Sequence, residues 1–451
     1  MIKTLKEKYD ELVFTSSVKG ATIDGSLVIQ IVDLIITQAI EERASDIHIE
    51  PTKDSLRVRY RIDGILYDVL TLRRDAVPVI PRLKVMAELD PDVGRTHTPQ
   101  DGRLAMKVGT REVDIRLSTF PTILGEKLAI RILDKEVTFR SLNQLGLSEG
   151  IQNKFESLVK RPNGMVFVTG PTNSGKTSTL YAVLSILNSP QVNIITLEDP
   201  VEYQLKGVNQ GQVNAKVGLT FANGLRSVLR QDPNIILVGE IRDLETAEIA
   251  IRASLTGHLV FSTLHTNDAA GAVTRLIDMG IEPFLISSSL IGVLAQRLVR
   301  RICPSCKMEY TPPPALLKEL EAPVQQAEKR GKRSPARADE GFYIMGGGKE
   351  NEPTRPTAGS STQEGPQRVS FYRGKGCATC HQIGYRGRIG IFELMEINDE
   401  IRNLIIAKSS SAEVKTAAIR GGMRTMRDDG FDKVKTEITT LEEVLRVTRE
   451  S

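Results

Sequence analysis

The apolar positions near the start of the chain change their period, and the change divides the sequence into elements. Val28, Ile31, Val32, Ile35 and Ala39 recur at helical spacing, which predicts an amphipathic helix ending near Glu42. Then Leu56, Val58, Tyr60 and Ile62 alternate with Arg57, Arg59 and Arg61, the pattern of a half-buried strand. Asp63-Gly64 follows as a hairpin turn into a strand from Ile65 to Leu70. The three arginines form either a solvated strand face or the lining of an interface with a neighbouring subunit. A helical stretch, Val79 to Leu89, leads to strands around Leu104 to Val108, Glu112 to Ser118 and Lys127 to Leu133. Residues 25–135 therefore read as a small α+β domain behind an N-terminal tail, 1–24.

Beyond it, strands and helices alternate as a parallel sheet requires. The apolar runs Met165 to Val168, Asn193 to Leu197, Ile235 to Val238 and Leu259 to Thr263 each end in polar residues, where a ligand crevice belongs. The first enters Gly170-Pro171-Thr172-Asn173-Ser174-Gly175-Lys176-Thr177, a G-x-x-x-x-G-K-[ST] phosphate loop opening a helix from Ser178 to Leu187. Its glycines remove Cβ obstruction, so backbone N–H groups can point at a phosphate chain. Lys176 neutralises the β/γ oxygens, and Thr177 offers its hydroxyl to Mg²⁺. The helix that Ser178 begins aims its positive end at the same charge. Asn173 stands where glycine is common, and Asn tolerates left-handed backbone.

Glu198-Asp199-Pro200-Val201-Glu202 and Gly239-Glu240-Ile241-Arg242-Asp243 end two of the strands. Acidic residues at such ends hold Mg²⁺ or orient the attacking water. His265, in His265-Thr266-Asn267-Asp268 after the last strand, is either a packing residue or a sensor of the γ-phosphate. Arg226 and Arg230 are spaced i and i+4 in a helix expected over Phe221 to Gln231, so they share a face. That face is either a solvated one or a phosphate contact, within the chain or across a subunit boundary.

Composition narrows the partners. Sixty basic against 56 acidic residues give a net charge of only +4, no whole-protein field for nucleic acid. Charges throughout Met1 to Phe14 leave no secretory signal core. The most apolar stretch, Leu27 to Ile40, is broken by Gln30, Asp33, Thr37 and Gln38 and is too short for a bilayer. A soluble, cytosolic protein is expected. The four cysteines form Cys303-Pro304-Ser305-Cys306 and Cys377-Ala378-Thr379-Cys380. Each C-x-x-C is a knuckle that places two sulfurs on one tetrahedral Zn²⁺, and the long segment between them is no obstacle, because loop closure costs grow slowly with length. Residues 311–370 are rich in Pro, Gly, Ser and charge, including Lys329-Arg330-Gly331-Lys332-Arg333, and are expected to be a mostly disordered insert. Helical patterning then runs to the C-terminus.

Read together, these segments carry a resemblance. Ser45-Asp46-Ile47-His48-Ile49-Glu50-Pro51, the phosphate loop, Glu198 to Glu202, Leu229-Arg230-Gln231-Asp232-Pro233 before Gly239 to Asp243, Thr263 to Asp268, and Gly384 to Glu393 follow in the order found in the secretion ATPase superfamily. The chain resembles its type II secretion and type IV pilus assembly branch, the general secretory pathway protein E family, outside its first residues and 311–369. The resemblance implies an α/β chain: a PAS-like α+β domain (25–135), a RecA-like P-loop ATPase domain (136–300), a tetracysteine subdomain (301–390) and a helical C-terminal domain (391–451). It implies a homohexamer that hydrolyses ATP held between the first two domains.

In that family pattern Glu240 takes the Walker B role and Glu198 the aspartate-box role, one of the two being the general base. Arg116 and Arg131, in Asp114-Ile115-Arg116 and Ala129-Ile130-Arg131, are implied to swing onto the phosphates, so that domain closure gates hydrolysis. Four cysteines resemble the assembly and secretion members, since the pilus-retraction branch generally lacks them. The implied location is cytoplasmic, peripheral at the inner membrane, on a platform protein of a secretion or pilus system. The front of the chain is too short for the extra N-terminal docking domain that such relatives commonly carry. Two rivals stand beside this reading. A nucleic-acid translocase on the same core needs a basic, aromatic-bearing strand path, and the chain has no tryptophan. The other is a regulatory nucleotide-binding protein that hydrolyses slowly.

Overall fold

The computed structural model describes residues 5–18, 25–73, 78–92, 98–134, 141–314, 316 and 370–449. The expected insert, 311–370, lies outside the described residues except at its edges. The N-terminal domain comprises α1 (Leu5–Val18), α2 (Gly25–Glu41), β1 (Asp46–Pro51), β2 (Ser55–Ile62), β3 (Ile65–Arg73), α3 (Val79–Met86), β4 (Asp101–Val108), β5 (Arg111–Thr122) and β6 (Gly125–Asp134). Its strands form one six-stranded antiparallel sheet in the order β3-β2-β1-β6-β5-β4. The predicted turn is present, with positive φ at Asp63 (49°) and Gly64 (90°), the pair of left-handed residues that a two-residue hairpin needs.

Alternation does the folding work here. Ile47, Ile49, Leu56, Val58 and Tyr60 point to one face and bury against Val28, Ile31, Val32 and Ile35 of α2, and the Tyr60 hydroxyl donates to the Ile35 carbonyl. The arginines of β2 fall on the other face. They are not simply solvated: Glu50 accepts from Arg57 at 2.9 Å and Arg59 at 2.7 Å and pairs with Lys127 at 3.0 Å. Burial works against ionisation of Glu50, but the three cations outweigh it and hold the carboxyl down at about 2. The expected N-terminal tail is corrected, since α1 packs on α2 and β3 with Leu5 and Tyr9 buried. Among its described side chains the apolar stripe is Leu5, Tyr9 and the partly buried Leu12, set among charges and too weak to stand out.

The second unit comprises α4 (Leu142–Leu145), α5 (Glu149–Val159), β7 (Gly164–Thr169), α6 (Lys176–Leu187), β8 (Ile194–Glu198), β9 (Asn209–Gln212), α7 (Phe221–Val228), β10 (Ile235–Val238), α8 (Leu244–Leu255), β11 (Leu259–Leu264), α9 (Ala269–Asp278), α10 (Pro283–Ser289) and β12 (Leu290–Ile302). After a two-stranded ribbon, β13 (Lys307–Tyr310) with β14 (Phe371–Gly374), comes β15 (Tyr385–Glu396). The seven-stranded sheet has the order β15-β12-β7-β11-β10-β8-β9, parallel from β12 to β9, with β15 antiparallel on β12. Every residue of β7, β10 and β11 is buried, which is why these segments read as continuous apolar runs.

Three expected boundaries move. β12 continues past 300, and 385–390 belong to β15, because the chain returns to the strand it left and pairs Ile389 with Val299 and Gly390 with Leu298. The C-terminal helices Asp399–Ile406, Ser411–Arg420, Met426–Lys435 and Leu441–Thr448 share one apolar cluster with β10 and β11. Finally, α7 ends at Val228, so Arg230 stands beyond the helix it was expected to share with Arg226. Asp232 takes a positive φ of 49° ahead of Pro233, and a residue before proline is driven out of helical backbone.

Candidate active site

The glycine-rich loop leaves β7 at Gly170 and enters α6 at Lys176, two residues before the expected helix start. Gly170 has φ +149°, and a Cβ there would lie 2.3 Å from the Gln296 carbonyl oxygen. Gly175 (φ 91°) and Asn173 (φ 64°) are both left-handed, which curls the backbone amides inward. The Lys176 ammonium donates to the carbonyls of Gly170 at 2.7 Å and Pro171 at 3.1 Å. Burial brings its pKa down to about 8, with Glu240 pulling the other way. Thr177 and Ser178 are exposed at the start of α6.

One residue that stabilises this loop is invisible to motif reading. Gln296, buried in β12, donates from Nε2 to the Ser174 carbonyl at 2.8 Å and accepts at Oε1 from the Thr179 hydroxyl at 2.8 Å. Its only signal in the sequence is a glutamine inside the apolar run Leu290–Ile302.

Between the two domains lies a cavity of about 590 Å³, a size that suits a small-molecule ligand. Lys176, Glu240 and His265 line one wall and Asp46, Arg61 and Arg131 the other, with Thr172 to Ser178 at its base. His265 Nε2 is 3.7 Å from Glu240. Burial, and then the neighbouring Lys176, lower the pKa of His265, which favours the neutral imidazole. Glu240 also takes a hydrogen bond from Arg242, whose own pKa that bond raises.

The two candidate glutamates differ in freedom. Glu198 is 5% exposed, and both of its oxygens are engaged, one by the Tyr181 hydroxyl and the other by Thr196 at 2.6 Å and Gln210 at 3.2 Å. Burial beside Glu198 pushes the Tyr181 pKa up, which keeps that hydroxyl a donor. Glu240 keeps 21% of its side chain exposed to the cavity.

The four candidate arginines separate. Arg131 lines the cavity and holds Asp46 at 3.2 Å. Arg116 does not line this cavity; it crosses from the N-terminal domain, donating to the Val201 carbonyl at 2.9 Å and pairing at 3.1 Å with Glu202, which does line it. Arg226 pairs with Glu245 at 2.6 Å, and Arg230 donates to the Arg226 carbonyl at 2.9 Å. Neither of these two lines the cavity. Behind the loop a second cavity of about 350 Å³ has a mixed lining that includes Ile40, Ser178, Leu298 and Ile389, and Arg388 borders both cavities. The domains also meet where the Gly387 N–H donates to Asp63 at 2.6 Å.

The cysteines converge although they come from opposite ends of a long segment. The sulfurs of Cys303, Cys306, Cys377 and Cys380 lie within 4.8 Å of one another, with separations of 3.9 Å (303 to 377), 3.8 Å (306 to 380) and 3.7 Å (377 to 380). A tetrahedron with metal–sulfur bonds of about 2.3 Å has edges of about 3.8 Å. The donor set therefore fits Zn²⁺. Cys380 Sγ also accepts from the N–H groups of Cys377 and Gly384, at 3.3 and 3.2 Å.

Known proteins resemble this chain over most of its length. The type II secretion system protein E of Pseudomonas aeruginosa is 49% identical over 428 residues, covering 95% of this chain and 76% of that protein. The type IV pilus assembly ATPase PilB of Thermus thermophilus is 45% identical, over 95% of this chain and 44% of that one. Among solved structures, the pilus retraction motor PilT with bound ADP aligns at a TM-score of 0.58 and 26% identity, over 92% of this chain and 96% of that one. The family model for type II/IV secretion system proteins matches residues 21–446, so it runs through both walls of the cavity, the cysteine cluster and the C-terminal helices: the chain belongs to that family.

Proposed function

We propose that the chain is a hexameric ATPase that binds Mg-ATP in the cleft between its two domains and uses hydrolysis to power type II secretion or type IV pilus assembly, peripherally at the cytoplasmic face of the inner membrane. The observation that carries the reading is the single cavity that collects Lys176, Glu240 and His265 from one domain and Arg131 from the other. The loop's amides and Lys176 hold the phosphates, and the base fits the neighbouring cavity beside Leu298 and Ile389. Mg²⁺, held through Thr177, would neutralise the β/γ oxygens. Glu240, the less encumbered carboxylate, takes the proton of the attacking water as general base, while Glu198 stays fixed by Tyr181 and Thr196. His265, neutral, donates toward the γ-phosphate. Closure of the N-terminal domain brings Arg131 and Arg116 onto the developing charge. Arg226 and Arg230 do not line this cavity, so any phosphate contact of theirs falls on a neighbouring subunit.

The four cysteines hold one structural Zn²⁺. Metal analysis of the purified protein should find about one zinc per chain, and four freely titrating thiols with no metal would refute the assignment.

At family level the neighbours at 45–49% identity are secretion and pilus-assembly proteins, which favours those two systems over retraction. No described helix is long and apolar enough to cross a membrane. The test is turnover. Lys176→Ala should abolish ATP binding, and Glu240→Gln should bind ATP while stopping hydrolysis. Near-parental turnover in either variant removes the site.

A further inference from the structure

The segment after β11 is held in an unusual way. Beyond Leu264 the chain leaves the sheet, and each of the next residues but one is fixed by a different element. The Thr266 N–H donates to the Thr169 hydroxyl at 3.0 Å. Asn267 Oδ1 accepts from Arg297 of β12 at 3.2 Å. Asp268 pairs with Lys415 of the helix Ser411–Arg420 at 2.9 Å, while its other oxygen accepts from the Gly271 N–H at 2.8 Å. The Ala269 N–H donates to Glu393 of β15 at 3.0 Å. The exception is His265, which faces the cavity.

Glu393 is the odd member of this set. It is 1% exposed in the middle of a strand, and among the described residues no cation shares its hydrogen bonds. Its second oxygen accepts from the Met426 N–H at 3.3 Å, so the carboxyl sits on the N-terminal ends of two helices, α9 and Met426–Lys435. Those ends carry partial positive charge, which compensates a buried carboxylate that would otherwise be costly. Burial still pushes its pKa up. A buried acid placed at this cost ties α9 to the C-terminal helices at the point where the His265 segment ends. Lys415 repeats the tie from the surface, at 24% exposure, where an ion pair adds little to stability.

We propose that Lys415 and Glu393 are positioning residues for hydrolysis: by holding Asp268 and Ala269 they fix the His265 imidazole beside Glu240, so that the C-terminal helices must be docked for the site to turn over. The proposal rests on His265 acting at the γ-phosphate. A shift of about an ångström in such a group can cost up to about 10²-fold in rate.

The experiment uses the full-length protein at saturating Mg-ATP. Lys415→Met should lower kcat about tenfold with nucleotide affinity and thermal midpoint unchanged, and Lys415→Arg should restore most of the loss. Glu393→Gln should lower kcat in the same way, because its carboxamide has one acceptor oxygen for two N–H donors and its NH2 must oppose either Ala269 or Met426. In a His265→Ala background, Lys415→Met should have no further effect. A kcat within twofold of the parent for Lys415→Met, when His265→Ala is itself impaired, overturns the proposal and leaves the His265 assignment standing. Normal turnover in His265→Ala removes that assignment and the proposal with it. An undiminished loss from Lys415→Met in the His265→Ala background overturns the proposal alone, because Lys415 would then act by another route.

Discussion

In the antiparallel sheet, charged and apolar side chains alternate along β1, β2 and β6, whereas β7, β10 and β11 of the parallel sheet carry no charge at all, and polar groups begin where each strand stops. The difference decides what a charged residue can do. On a sheet face it finds a partner one strand away, as Glu50 finds Arg57, Arg59 and Lys127. At a parallel strand end there is no residue opposite, so Glu240 and His265 look into the cavity. A charge on a face is therefore structural unless its partner lies in another domain or at the cleft. Arg116, Arg131 and Arg61, which also pairs with Asp46, meet this condition, and the first two are the ones implied to reach the phosphates.

Arg131→Ala and Arg116→Ala break the comparison most sharply. If they close onto the γ-phosphate, each should cut kcat steeply, by up to about 10³-fold, with folding and zinc content unchanged. Turnover within twofold of the parent in both single variants would return them to the rest of the sheet face. Glu50→Gln tests the structural half. It leaves three cations facing one another and should destabilise the protein by about 2 kcal/mol in denaturant unfolding at pH 7. Because the folded carboxyl stands at about 2 against an ordinary 4.5, the ionised pair contributes fully above the ordinary value and is lost as pH falls toward 2. The gap between Glu50→Gln and the parent should narrow over that window, and an unchanged gap would mean that the carboxylate charge is not what stabilises the sheet. Arg57→Ala is the smallest effect. Arg57 is 42% exposed and Glu50 keeps two other partners, so a change of no more than about 0.5 kcal/mol is expected.

What the sequence made legible follows the same division. The strand Ile235–Val238 falls where its apolar run ends, and the left-handed Asn173 and the Asp63-Gly64 turn follow from local backbone chemistry. Local rules also failed locally: α1 was hidden because Leu5 and Tyr9, the fully buried members among its described side chains, stand between charges, and the reach of α7 was overdrawn because charge spacing was read without the proline at 233. The motif residues that line the cavity were legible in the sequence, and what holds them was not. Tyr181 on Glu198, Gln296 on the loop, and Glu393 and Lys415 on the segment after β11 act from 17 to 147 positions away in sequence. No periodicity reports contacts of that kind.

The crossing from β12 to β15 has a consequence for how this chain can vary. Ile302 and Tyr385 are register partners, the cysteine pairs meet just beyond them, and Tyr310 pairs with Phe371 in the ribbon. The neck is thus closed three times before the intervening residues begin. Doubling the length of chain between 310 and 371 would cost only about 0.6 kcal/mol of loop-closure entropy. Such a neck is a natural point at which to open new termini in a circular permutant, with the ATPase sheet and its cleft keeping every pairing they have now.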